Sequence, residues 1–148
     1  MNNITFQCDD LHFRWDDDST LTSWLIAVAK AENAQIDTLT YIYCSDQALL
    51  AINKQYLEHD YFTDIITFDL SEGEAIEGDV FISVERVQAN AVTFGTDFHE
   101  EMCRVHVHGL LHLIGYADKE IEEQKTMRVK EDTYLSLHTK VPRGTFGK

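Results

Sequence analysis

Short β-branched and aromatic runs alternate along this chain with segments whose apolar residues recur every three or four positions, the first being the pattern of strands and the second that of one-sided helices. ITFQC at 4–8 predicts a first strand and TLTYIYC at 38–44 a second. Between them Leu21, Trp24, Leu25, Val28 and Ala31 mark an amphipathic helix, with residues 16–18 and Ser19 as N-cap candidates. Ser45 and Asp46 cap a short helix through Leu49, Leu50, Ile52, Asn53 and Tyr56. After the polar turn EHDYFTD, IITFDL at 65–70 reads as a third strand and GDVFIS at 78–83 as a fourth. A helical pattern runs from Val84 to about Val92, and a turn at 95–97 opens another helix near Phe98. KEIEEQKTMRVKEDTYLSL then predicts a charged helix with Ile121, Met127, Val129, Tyr134 and Leu135 as its apolar positions and the charge run as a solvated face. Strands and helices interleave early and helices dominate late, which predicts an α+β fold: a small mixed four-stranded sheet packed with about five helices.

At 148 residues and 44% hydrophobic content, the expectation is a single domain over 1–140, with KVPRGTFGK supplying a loose tail over 141–148. No apolar run of about 18 residues appears, and MNNITFQCDD lacks a basic stretch followed by an apolar one, so no membrane contact and a cytoplasmic location are expected. Cys8, Cys44 and Cys103 form no C-x-x-C pair and read as reduced thiols packed inside. A net charge of −14 argues against a broad grip on nucleic acid, DNA included, because backbone binding relies on many Lys and Arg contacts. A local site is still open to the chain, since Lys54, Arg86, Arg104, Lys119 and Arg128 could surround a cleft.

The chemistry concentrates in HGLLHLIGYAD. His108 and His112 are four residues apart, about 400° of helix and roughly 6 Å along the axis, so both imidazoles can reach one ion. Gly115 ends the helix and lets the chain return Asp118 to the same place. Two imidazoles and a carboxylate form a catalytic-type zinc set, with a position left for water. The ordinary alternative is a pair of core histidines bonded to backbone, but Val105, Val107, Leu110, Leu111, Leu113 and Ile114 mark a buried helix, where unsatisfied imidazoles are costly. Gly109 leaves room for a substrate or a neighbouring strand. Glu101, seven residues before His108, lies about 10 Å away along the axis, too far to ligate. It could orient a ligand, bind Arg104 or favour the helix N-terminus. His106 is about 200° from His108 and, with His12, His59, His99 and His138, stands outside the set. H-x3-H-x2-G-x2-D is also the spacing of metzincin proteases with an acidic third ligand, but their general-base glutamate is replaced by Gly109.

HGLLHLIGY with Asp118, Asn53 and Tyr56 with TDIITF at 63–68, and GDVFIS together resemble the YbeY family of metal-dependent endoribonucleases, three blocks in the same order over roughly 48–118. The resemblance implies a zincin-like domain with one zinc ion (Zn2+) on His108, His112 and Asp118, set on the buried helix. It implies cleavage of single-stranded RNA, and ribosomal RNA and components of the small ribosomal subunit as partners. Glu101 and Arg104 become the catalytic candidates, for orientation and phosphate contact. Two departures stand out: Asp118 replaces the family's third histidine, and Leu57 replaces the arginine that follows the tyrosine of N-x-x-Y. A metal hydrolase of a peptide or small molecule, and a non-catalytic ribosome-assembly factor with a structural metal, remain the competing readings.

Overall fold

The computed structural model describes residues 3–15, 18–137 and 144–146. Strands β1 (Ile4–Cys8), β3 (Ile36–Cys44), β4 (Ile65–Asp69) and β5 (Ile76–Ser83) form one sheet in the order β1-β3-β5-β4. β1, β3 and β5 are parallel, and β4 returns antiparallel along the edge of β5. Helices α1 (Asp18–Ala31), α2 (Asp46–Leu57), α3 (Val84–Phe94), α4 (Phe98–Ile114) and α5 (Ile121–Leu137) complete a mixed α+β arrangement. Two strands fall outside the sequence pattern: β2 (Phe13–Trp15) pairs antiparallel with β6 (Gly144–Phe146). The pairing corrects the expected loose tail at these three residues; the rest of 141–148 lies outside the described residues, as do 16 and 17 of the expected α1 cap.

The sheet's alternation sorts side chains between two packing layers. Leu39, Tyr41, Tyr43, Val80 and Ile82 enter the main core with α1 and α4, while Ile66, Phe68 and Phe81 meet Leu49 and Ile52 of α2 on the opposite face. Helix α4 is buried for most of its length, so it needs firm ends. Asp97 caps its start by accepting from the amides of His99 and Glu100. Gly115 stops it at φ 130° with its own amide bonded to Leu111 O and His112 O, a positive φ that favours glycine. At Gly109 the helix lies close against the sheet: a Cβ there would stand 3.0 Å from both Ile65 Cδ1 and Val80 Cγ1. A neighbouring strand, and not a substrate, fills that space.

Helix α5 departs from its expected register. Ile121 and Val129 are exposed, whereas Met127, Glu131 and Tyr134 face inward at i, i+4 and i+7. The charge run is therefore not a purely solvated face. Cys44 and Cys103 are buried free thiols, burial pushing Cys44 up to about 12 and Cys103 higher still, but Cys8 is exposed, contrary to the expectation of three interior thiols. Among the described residues no helix is long and apolar enough to cross a membrane.

Candidate metal centre

The last turns of α4 carry His108 and His112 at the margin of its buried face, with 22% and 24% of their side chains exposed. His108 Nδ1 lies 2.6 Å from Glu131 Oε2, and His112 Nδ1 lies 2.9 Å from the carbonyl oxygen of Tyr116. An ionised carboxylate and a carbonyl only accept, so each Nδ1 carries the proton and each neutral ring turns a bare Nε2 lone pair outward. These two Nε2 atoms face one another at 3.0 Å, and Asp118 Oδ2 is 3.3 Å from each. Three acceptors converging on one point without a donor is an arrangement that a cation satisfies. His108 Nε2, His112 Nε2 and Asp118 Oδ2 would hold a divalent ion between them. Among the described residues these three form the one group of His, Cys, Asp or Glu whose ligand atoms converge in this way. His108 shows the same demand for positive charge: burial opposes its protonation, but Glu131, Asp118 and Asp64 outweigh burial and raise its pKa.

Glu131 was not singled out in the sequence, although it decides the orientation of His108. Its side chain is 6% exposed and bonds His108 through one oxygen and Arg104 Nη1, at 2.8 Å, through the other. Burial alone would raise its pKa, yet His108 and Arg104 hold it below the usual carboxylate range, so it stays an acceptor. The legible signal was its place between Met127 and Tyr134 on the inward stripe of an otherwise charged helix. On the other side, Tyr116 links the metal turn to the turn that follows α1. Its carbonyl holds His112, and its hydroxyl donates at 2.6 Å to Glu32, which also receives Tyr134 Oη and Lys130 Nζ.

The remaining candidates sort clearly. Arg104 gives its two terminal nitrogens to Glu131 and to Asp132, at 2.8 and 2.7 Å, and not to Glu101. Glu101 is buried and accepts from Thr96 Oγ1 at 3.1 Å. Of the five cations that could ring a cleft, Lys54 pairs with Asp60, Arg86 pairs with Asp46 and Lys119 is exposed outside it, while Arg104 and Arg128 line a cavity of about 310 Å³ together with Asp64, Glu101, His108 and Asp118. Asp64 reaches this wall because Asn53, itself 1% exposed, donates to Tyr61 O at 2.9 Å and pins the loop after α2. Burial raises the pKa of Asp64, a shift that His108 and Arg86 partly oppose. His106 points into the core, and His138 lies outside the described residues. A second cavity of about 160 Å³, beside α1 and β1, has Lys30 as its only titratable lining residue and offers no chemistry.

Comparison with known proteins agrees with this geometry. The family model described as Endoribonuclease YbeY matches residues 3–138. Proteins bearing that name from Cytophaga hutchinsonii and Parabacteroides distasonis are 47% and 42% identical over 135 and 134 residues, in both cases 90% of this chain and 94% of the relative. The one from Flavobacterium johnsoniae is 44% identical over 137 residues, 93% of this chain and 96% of the relative. The solution structure of TM1509 from Thermotoga maritima superposes with a TM-score of 0.64 at 27% identity, over 90% of this chain and 87% of that one. A shared backbone, a family match across nearly the whole described fold and a His-His-Asp convergence at its centre place this chain in the endoribonuclease YbeY family.

Proposed function

We propose that the protein is a zinc-dependent, single-strand-specific endoribonuclease of the cytoplasm that acts in ribosomal RNA maturation and ribosome quality control, with ribosomal RNA and components of the small subunit as partners. The observation that carries the reading is the pair of facing Nε2 lone pairs closed by Asp118 Oδ2, with both Nδ1 atoms held from behind. The relatives named endoribonucleases supply the reaction class. Bound there, a divalent cation would acidify water and polarise a phosphodiester oxygen.

The chain's own residues do the rest. Glu131 and the Tyr116 carbonyl fix both imidazoles in the tautomer that ligates. Arg104 keeps Glu131 ionised and in place, which is a positioning role. Asp64 and Glu101 line the cavity and supply carboxylates to take a proton from the attacking water, and burial raises the pKa of Asp64. The position after His108, where a peptidase would carry its glutamate, is filled by Ile65 and Val80 against Gly109, so a peptidase base has no room. Incubating metal-loaded protein with single-stranded ribosomal RNA, beside His112→Ala, tests the reading. Cleavage that disappears in the variant supports it, and equal cleavage by both removes the metal from the mechanism and favours a non-catalytic assembly factor.

A further inference from the structure

Phe94 ends α3 with 66% of its surface exposed, yet it lines the same cavity as His108 and Asp118. A large apolar ring left at the mouth of a polar cavity is not explained by core packing, because Phe94 belongs to neither hydrophobic cluster. Arg128 lines this cavity and the adjoining one over His108 and Asp118. Unlike Arg104, it is loosely held: its side chain is 64% exposed, and its paired carboxylate, Asp132, is 4.0 Å away and already bonded to Arg104 at 2.7 Å. The cleft thus presents an aromatic face and an uncommitted guanidinium beside the converging ligands.

Charge and size narrow the occupant. With a net charge of −14 the protein cannot hold a polyanion by long-range attraction, and Asp64, Glu101, Asp118 and Glu131 make the cavity acidic before any cation binds. Affinity for RNA must then come from contacts that do not depend on net charge, of which stacking on an aromatic ring is the strongest available. The volume, about 310 Å³, lies at the low end of the range for small-ligand sites, about 300–1,000 Å³, and suits one nucleotide unit and not a base-paired helix.

We infer that Phe94 and Arg128 form a nucleotide-binding subsite beside the metal centre, Phe94 stacking one unpaired base and Arg128 holding a phosphate next to the one that is cut. The inference rests on the endoribonuclease reading and explains how an acidic protein selects single strands, since only an unpaired base offers its face.

Fluorescence anisotropy of a labelled single-stranded oligoribonucleotide, together with its cleavage, tests the subsite on the metal-loaded full chain. Phe94→Leu is expected to weaken binding and raise KM about tenfold, and Phe94→Trp to restore both. Replacing the stacked nucleotide by an abasic one should cost the wild type the same factor and cost Phe94→Leu nothing further, a coupling that a merely structural ring would not show. Arg128→Gln should lower the slope of log Kd against log salt by about 0.7, with Arg128→Lys retaining the wild-type slope. Equal oligonucleotide binding by wild type, Phe94→Leu and Arg128→Gln overturns the subsite even if cleavage persists. Wild-type binding without cleavage overturns the nuclease reading and leaves the subsite standing on its binding data; neither binding nor cleavage overturns both.

Discussion

His106 and His108 stand two residues apart on one helix and have opposite fates. His106 is wholly buried, with Nδ1 2.6 Å from Met102 O and Nε2 2.8 Å from Tyr43 Oη, whose oxygen in turn accepts from Trp15 Nε1 at 2.7 Å. Burial depresses its pKa to about 4. Both ring nitrogens are used up inside the protein by neutral partners. His108, on the opposite face, has a carboxylate behind it and one nitrogen left over, and its pKa moves up instead. The contrast teaches that a ligating histidine is recognised by the nitrogen that its rear partner leaves free.

The comparison breaks most visibly if the two residues are exchanged as targets. His108→Ala should lower bound metal in elemental analysis to background and RNA cleavage by about a thousandfold, equivalent to about 4 kcal/mol. The unfolding midpoint of the metal-free protein should change little. His106→Ala should do the reverse, costing about 3 kcal/mol in denaturant unfolding through the lost buried ring and the stranded Tyr43 hydroxyl, while the protein that remains folded keeps its metal.

A titration sharpens the same contrast. The folded pKa of His106 is below the unfolded value of about 6.5, so the unfolded chain binds more protons, and stability falls as pH drops from about 6.5 to about 4, by up to about 3 kcal/mol from this group. His106→Phe should flatten that part of the stability profile. Next in size is Glu131→Gln, which weakens the acceptor behind His108; metal affinity measured with a competing chelator should fall about 10–100-fold. The smallest effect belongs to Gly109→Ala. Its helix-propensity gain of about 1 kcal/mol is outweighed by a Cβ placed 3.0 Å from Val80 on the buried central sheet, for a net loss of about 1 kcal/mol in thermal unfolding.

Most of the sheet and all of the helices were legible because their periods are long enough to register, as in TLTYIYC for β3, the cap Ser45 for α2 and the turn at 95–97 before α4. β2 and β6 were not, since three residues cannot establish an alternation and their pairing spans well over a hundred residues. In the site, the i, i+4 spacing of His108 and His112 and the Gly115 turn announce themselves locally, and the structure brings Asp118 to them. Glu131 does not, because its partner is 23 residues away and it sits inside a run of charges whose average hides the one buried member. Arg104, expected at a phosphate, is occupied by the carboxylates of α5 for the same reason: the identity of a cation's partner is a tertiary fact.

The dependence of His108 on α5 has a consequence in time. Both imidazoles are synthesised before the helix that orients one of them, and Tyr116 finds Glu32, just after α1, in the company of Tyr134 and Lys130 from α5. A growing polypeptide therefore holds the two histidines for a while without the carboxylate that orients the first of them, and the full brace is in place once α5 docks.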